Sequence, residues 1–264
     1  MSDKYKTCVV TAMDADFIAP TEVLLRSIDD NYKGEQQLDV YILVPKKLLS
    51  FTFVTQFENI KINLIAPVGD DNEEVSFLIH KIYNQTYKNR ISGASMYRFF
   101  MADVIKNYKR AVYIDADCII ARDIDPLLEY PLATPLAAFP EVQLDYEDNP
   151  SFSGASYFNS GVMVVDLNYW RSHRVSSRLI EIANKFTDWT GASDQDILNA
   201  FFKHNWTPLP MSYNYLINIY KNIDLKNPLV IHWAGKQKPW LSNTPDNKWK
   251  QLWKKYRALG PTTA

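Results

Sequence analysis

Apolar residues in this chain come in short runs that alternate with stripes at helical spacing. Thr7 to Ala12 is such a run and predicts a strand, ending at Met13-Asp14. From about Pro20 to Asn31, Val23, Leu24 and Ile28 share one helical face. Asp39 to Val44 predicts a second strand closed by Pro45, Leu48 to Phe57 a second helix, and Lys61 to Ile65 a third strand. Helical spacing returns over Val75 to Tyr83 and over Met96 to Ile105, and Ala111 to Ile114 predicts a central strand. Beyond it the pattern loosens, with Pro131, Pro135, Pro140 and Pro150 breaking up a loop-rich stretch. Gly161 to Val165 and Leu229 to Ile231 predict further strands, and Ser177 to Phe186 and Asp196 to Phe202 predict helices. Strand–helix alternation predicts parallel βαβ units in one open α/β sheet. With no repeat and no linker, residues 1–264 are expected to form one domain.

The central strand runs into Asp115-Ala116-Asp117 and on into Cys118-Ile119-Ile120. If the segment stays extended, both carboxylates leave the same face, with Cα atoms roughly 6.5–7 Å apart. Two buried carboxylates aimed at one point need a cation, and a hard divalent ion such as Mg²⁺ or Mn²⁺ suits oxygen ligands. The plainer reading of a D-x-D after a strand is a turn or helix cap.

Composition narrows the classes. A 264-residue chain with 47% hydrophobic residues can bury a full core. A net charge of −1 with interspersed charges gives no reason to expect a nucleic-acid partner. Cys8 and Cys118 both fall in apolar strands, as reduced structural residues do. The chain opens Ser2-Asp3-Lys4-Tyr5-Lys6 without an apolar leader, and no run of 18 apolar residues occurs, so a cytoplasmic protein is expected.

Ligands of open parallel sheets bind beyond the carboxyl ends of the strands. Asp14, the Asp115–Asp117 pair and His232 all follow apolar runs. After His232 come Trp233-Ala234-Gly235-Lys236-Gln237-Lys238-Pro239-Trp240. A neutral imidazole can complete a metal site, glycine lets a backbone approach a phosphate, and lysine neutralises its charge.

These residues carry a family resemblance. Thr11-Ala12-Met13-Asp14, Met96-Tyr97-Arg98, Tyr113-Ile114-Asp115-Ala116-Asp117, Phe158-Asn159-Ser160-Gly161-Val162, Asp194-Gln195-Asp196-Ile197-Leu198-Asn199 and His232 to Trp240 occur in the order found in family 8 glycosyltransferases. The chain resembles these enzymes, among them glycogenin and bacterial lipooligosaccharide galactosyltransferases, over roughly Thr7 to Trp240. The resemblance implies a GT-A nucleotide-diphospho-sugar transferase fold, an open and mostly parallel sheet flanked by helices. It implies a metal-dependent, retaining transfer of a hexose, glucose or galactose, from a UDP-sugar to an acceptor hydroxyl on a carbohydrate, glycoconjugate or protein. Asp115, Asp117 and His232 would hold Mn²⁺, or Mg²⁺. Asp14 would read the uracil and Phe17, in place of the more usual Tyr, would pack on the base, with Ala12 and Ala116 beside the nucleotide. Gly235 and Lys238 would grip the phosphates. Arg98, Asn159, Asp194 and Gln195 would line the sugar pocket, with Gln195, Asp194 and Lys238 the catalytic candidates. Ala15 stands where some members carry a second acidic residue, and Glu141 falls near a position that is Asp in the galactosyltransferases.

Plainer readings accompany several of these residues. Ser193 can cap a helix with Asp196 three residues on. Arg98 can pair with a nearby carboxylate, and Asn159 can make a turn. The segment Asp246 to Ala258 carries Trp249, Trp253 and Tyr256 on one stripe with Lys248, Lys250, Lys254, Lys255 and Arg257 around it. Such a tail can lie on an anionic membrane as a peripheral anchor. Its shortness favours the other reading, a stripe docked on the core. A homodimer is compatible with the pattern. The nearest functional alternative is a glycogenin-like self-glucosylating enzyme, for which 16 tyrosines are candidate acceptors. A nucleotidyltransferase lacks support, because the first strand ends Ala12-Met13-Asp14-Ala15 without a glycine-rich loop. A haloacid-type phosphatase would carry its D-x-D on the first strand. A binding module without turnover fits poorly with an intact metal set. No carboxylate nucleophile is obvious, which leans retention toward same-face attack.

Overall fold

The computed structural model describes residues 7–67, 93–141, 157–185 and 194–259. Strands β1 (Thr7–Ala12), β2 (Leu38–Leu43) and β3 (Ile60–Ile65) lie side by side and parallel, and β4 (Arg110–Ile114) joins β1 on its other side, also parallel. Past β4 the direction reverses. A small strand, β5 (Cys118–Ile120), follows the D-x-D, and then β6 (Leu136–Pro140) and β7 (Phe158–Asp166) extend the main sheet. β7 runs antiparallel between β4 and β6, and β8 (Thr207–Pro208) closes the edge parallel to β6. The order is β3-β2-β1-β4-β7-β6-β8. A second sheet places β10 (Val230–His232) between β5 and β9 (Tyr215–Leu216).

The strand period of two sorts the core into two faces. Ala111 and Tyr113 of β4, Cys8 and Val10 of β1, and Met163 and Val165 of β7 enter one buried cluster. That cluster takes residues of four helices: α2 (Met101–Val104), α4 (Leu167–Ser172), α5 (Val175–Lys185) and α6 (Asp194–Phe202). Val112 and Ile114, Val9, and Val162 and Val164 point the other way, onto α1 (Ile18–Asn31) and α3 (Asp125–Leu128). β4 and residues 162–165 of β7 are buried on both faces, which is why residues 111–114 and 162–165 are unbroken apolar runs.

Three expectations need correction. No helix forms over Leu48 to Phe57: a 3₁₀ turn covers Lys46–Leu48 and the chain then runs irregularly. Phe51, Phe53 and Phe57 stack edge to face there and pack on the α1 side of the core. Interleaved Thr52, Val54 and Thr55 resist helical backbone because their branched side chains crowd the preceding turn. Met96 to Ile105 is a 3₁₀ helix over Gly93–Phe100 that widens into α2 only at Met101. The D-x-D is not extended, since Cys118 N–H closes a turn on Asp115 O at 3.1 Å. The helix expected over Val75 to Tyr83, the Ser193 cap and Phe186 lie outside the described residues.

The final helix, α7 (Lys248–Ala258), is capped by Asn247, whose side chain accepts from Trp249 and Lys250 N–H. Trp253 and Tyr256 are buried in a third cluster with Val23 of α1 and Trp233. Tyr256 Oη donates to Asp30 Oδ2 at 3.0 Å and accepts from Asn31 Nδ2 at 3.0 Å. The aromatic stripe is therefore docked on the protein. Among the described residues, no helix is long and apolar enough to cross a membrane.

Candidate active site

β1 and β4 are adjacent and parallel, so their carboxyl ends deliver Asp14 and Asp115 to the same edge of the sheet. The Asp115–Asp117 turn is held from both sides. Asp115 N–H donates to Gly161 O of β7 at 2.8 Å, and Trp233 N–H donates to Asp117 O at 3.2 Å. Register places His232 opposite Cys118, so the second sheet carries the imidazole to the turn.

Arg98 is the buried centre of one half of the site, 3% exposed. Its Nη2 donates to Asp115 Oδ1 at 2.7 Å and its Nε lies 3.2 Å from Asp194 Oδ2. Nη1 donates to Ser160 O at 2.8 Å and Ser160 Oγ at 3.0 Å, and the guanidinium carbon stands 4.4 Å from the Tyr113 ring centre. Tyr113 Oη adds a bond to Asp115 Oδ1 at 3.0 Å. Although burial disfavours its charge, Asp115, Asp194 and Tyr113 hold Arg98 well above its ordinary pKa. Burial also raises the Asp115 carboxyl, against the pull of Arg98.

The second half centres on Asp117. Its Oδ2 accepts from Lys238 Nζ, which also donates to Trp233 O at 2.9 Å. Burial would raise this carboxyl, but the Lys238 ammonium outweighs it and holds the group well below the usual range. Asp117 Oδ1 is buried without a hydrogen-bond partner, 3.3 Å from His232 Nε2. Asp117, Cys118 and His232 bring ligand atoms within 4.8 Å of one another. Burial keeps the Cys118 thiol protonated, and sulfur suits a hard cation poorly, so Asp117 and His232 are the apt pair for such an ion. Gly161 explains how Asp115 comes close as well: a Cβ there would sit 2.3 Å from His232 Cε1 and 2.8 Å from Asp115 Oδ2.

A polar network links the halves. Asn159 Nδ2 donates to Glu141 Oε2 at 2.9 Å and to Gln195 Oε1 at 3.1 Å, and Gln195 Nε2 donates to Glu141 Oε2 at 3.1 Å. Ser160 N–H also donates to Gln195 Oε1, at 3.0 Å. Asn159 thus lies within β7 rather than in a turn, and its side chain serves this cluster. Asp196 is fully buried and accepts from Tyr157 Oη at 2.7 Å, which makes it an anchor for the start of β7.

At the rim, Asp14 caps a 3₁₀ turn, its Oδ1 accepting from Asp16 and Phe17 N–H at 3.1 and 3.2 Å. Phe17 meets Trp240 edge to face at 5.8 Å, which joins the first-strand loop to the loop after His232. Ala12 ends β1 half-buried and Ala116 is buried in the turn. Gly235 has φ +82°, a left-handed conformation that favours glycine, and open space where a Cβ would project. Asn218 Nδ2 clasps this loop by donating to Ala234 O at 3.0 Å and Gln237 O at 2.6 Å. Sequence reading missed Asn214, Ser160 and Asn218. Asn214 lies in an irregular aromatic stretch where only the tertiary fold reveals its contact with His232 Nδ1 at 3.0 Å.

The model of glycosyl transferase family 8 matches residues 8–244. The chain belongs to this family. A probable glycosyl transferase of Streptococcus gordonii is 31% identical over 66% of this chain and 25% of its own length. A lipopolysaccharide 1,2-glucosyltransferase of Escherichia coli is 29% identical over 56% of this chain and 49% of its own. The structure of the galactosyltransferase LgtC with donor and acceptor sugar analogues superposes with a TM-score of 0.75, covering 97% of each chain at 18% identity. The fold of this family 8 chain is GT-A. The chain spans between 25% and 61% of the length of the first curated relatives it matches.

Proposed function

We propose that this chain transfers a hexose from a UDP-sugar to an acceptor hydroxyl, with retention at the anomeric carbon and with the help of a divalent cation. The observation that carries the reading is Asp117 Oδ1, a buried carboxylate oxygen without a hydrogen-bond partner, facing His232 Nε2 at 3.3 Å beside the Arg98–Asp115–Asp194 cluster. A stranded oxygen opposite an imidazole nitrogen fits a hard cation, with Asp117 and His232 as ligands and Asp115 as the third. Mn²⁺ or Mg²⁺ bound there supplies Lewis-acid stabilisation of the departing diphosphate.

The chain's own residues do the rest. Asp14 at the end of β1 accepts from the uracil, and Phe17, with Ala12 and Ala116 nearby, flanks the nucleotide. Gly235 lets the backbone approach the diphosphate, and Lys238 meets the negative charge that grows there as the glycosidic bond breaks. Arg98, Asn159, Asp194 and Gln195 line the sugar pocket. The Asn159 and Ser160 donors hold Gln195 Oε1 in place, so the side chain is oriented before the sugar arrives. The names of the galactosyltransferase neighbour and the glucosyltransferase relative support a hexose donor. The test is UDP release from UDP-glucose, UDP-galactose and other UDP-sugars with Mn²⁺ present. Turnover of a UDP-hexose is expected, and absence of turnover with every UDP-sugar would refute the reading.

A further inference from the structure

We propose that Asn214 is the positioning residue that fixes the tautomer of His232, so that Nε2 is offered to a cation as a bare lone pair. The inference rests on the cation reading above and adds a residue to it. Its starting point is a backbone group. Gly161 N–H donates to the Asn159 side chain at 3.0 Å, which identifies that atom as the carbonyl oxygen Oδ1. Asn159 Nδ2 then faces two acceptors, Glu141 Oε2 and Gln195 Oε1. The Asn214 atom 2.9 Å from Asn159 Oδ1 must be a donor, its NH₂. The other end of Asn214 is therefore an acceptor, and it meets His232 Nδ1 at 3.0 Å. The imidazole proton belongs on Nδ1.

The consequence lies on the far side of the ring. In the neutral ring Nε2 then carries no proton, and it looks across 3.3 Å at Asp117 Oδ1, itself buried and without a hydrogen-bond partner. Two acceptors face each other, an unfavourable arrangement that a cation between them reverses. The opposite tautomer would turn Nε2–H onto Asp117 and close the gap as an ordinary Asp–His pair. Asn214 opposes that collapse. The same Asn159 oxygen anchors Asn214 and belongs to the side chain that orients Gln195, so ligand geometry and sugar pocket share one hub. Partners of this kind set ring orientation in metal sites generally, and losing one costs about 10–100-fold in metal affinity.

The test uses metal-free protein labelled with ¹⁵N-histidine, read by long-range ¹H–¹⁵N correlation, with Mn²⁺ binding followed in parallel by paramagnetic resonance. Wild type is expected to show His232 with its proton on Nδ1. Asn214→Leu is expected to lose that pattern and to weaken Mn²⁺ binding by about 10–100-fold. Asn214→Asp, which keeps an acceptor toward Nδ1, is expected to restore the Nδ1–H signature. A wild-type His232 that is protonated on Nε2 overturns the proposal, even if Asn214→Leu fails to fold. So does an Asn214→Leu protein with unchanged tautomer and unchanged Mn²⁺ affinity. If wild type shows Nδ1–H yet takes up no Mn²⁺, the cation reading is what fails, and the positioning role given to Asn214 falls with it.

Discussion

Gly161 presses so closely on His232 and Asp115 that its missing side chain is part of the site. Gly161→Ala puts a Cβ 2.3 Å from the imidazole Cε1 and 2.9 Å from Nδ1, where no carbon can stay. The ring must move, and Nδ1 then leaves Asn214. Overpacking of this sort costs about 1–3 kcal/mol, so a lowered thermal midpoint is expected together with weaker Mn²⁺ binding. A variant with unchanged Mn²⁺ affinity would show that the ring position is immaterial. Lys238 is the second residue whose chemistry is separable. Its Nζ neutralises Asp117 and ties to Trp233 O, while Lys236, two residues earlier, is exposed. Lys238→Ala is expected to slow donor turnover by about 10²-fold, as deletion of one charge-stabilising donor does. Lys236→Ala is the control and should change the rate little. Equal and mild effects in initial-rate measurements would remove Lys238 from the leaving-group role.

At the scale of elements, the docking of α7 makes a prediction about alkaline stability. Burial, reinforced by the bond to Asp30, pushes the Tyr256 phenol up to about 12 from an ordinary value of 10.0. A raised value means the folded state keeps the proton that the unfolded state has already lost. The contribution is full below pH 10 and disappears as pH climbs through about 12. Tyr256→Phe is therefore expected to be less stable than wild type near neutrality, and the difference should shrink over that interval. Urea midpoints across the alkaline range check this. A difference that stays constant would contradict the coupling. The same helix shows what sequence could and could not reveal. Its Trp253 and Tyr256 stripe was legible because helical spacing depends only on local order. The partners Asp30 and Asn31, more than two hundred residues away, were not. Likewise β1 and β4 were plain as apolar runs, whereas the reversal at β7 left no mark, because a strand buried on both faces has the same composition in either direction. Over Leu48 to Phe57 the apolar spacing suits a helix, but the β-branched Thr52, Val54 and Thr55 between those positions oppose one.

For the molecule as a whole, the site is a meeting of two sheets. The parallel part of the large sheet delivers Asp14 and Asp115, the antiparallel β7 delivers Asn159, Ser160 and Gly161, and the small sheet delivers His232. Membership of glycosyl transferase family 8 and the GT-A fold agree with that layout. Asp115, Asp117 and His232 stood out in sequence as separate polar ends of strands. Their relation through Asn214, Asn159 and Gln195 is a property of the folded network alone. The central claim is that Asp117 and His232 hold a cation through which this chain binds its nucleotide. Calorimetric titration of UDP into the protein, in Mn²⁺ and again in EDTA, tests it most directly, with Asp117→Asn run beside wild type. The account predicts binding by wild type in Mn²⁺, with affinity sharply reduced in EDTA and in Asp117→Asn. Equal UDP affinity in all three conditions would contradict it.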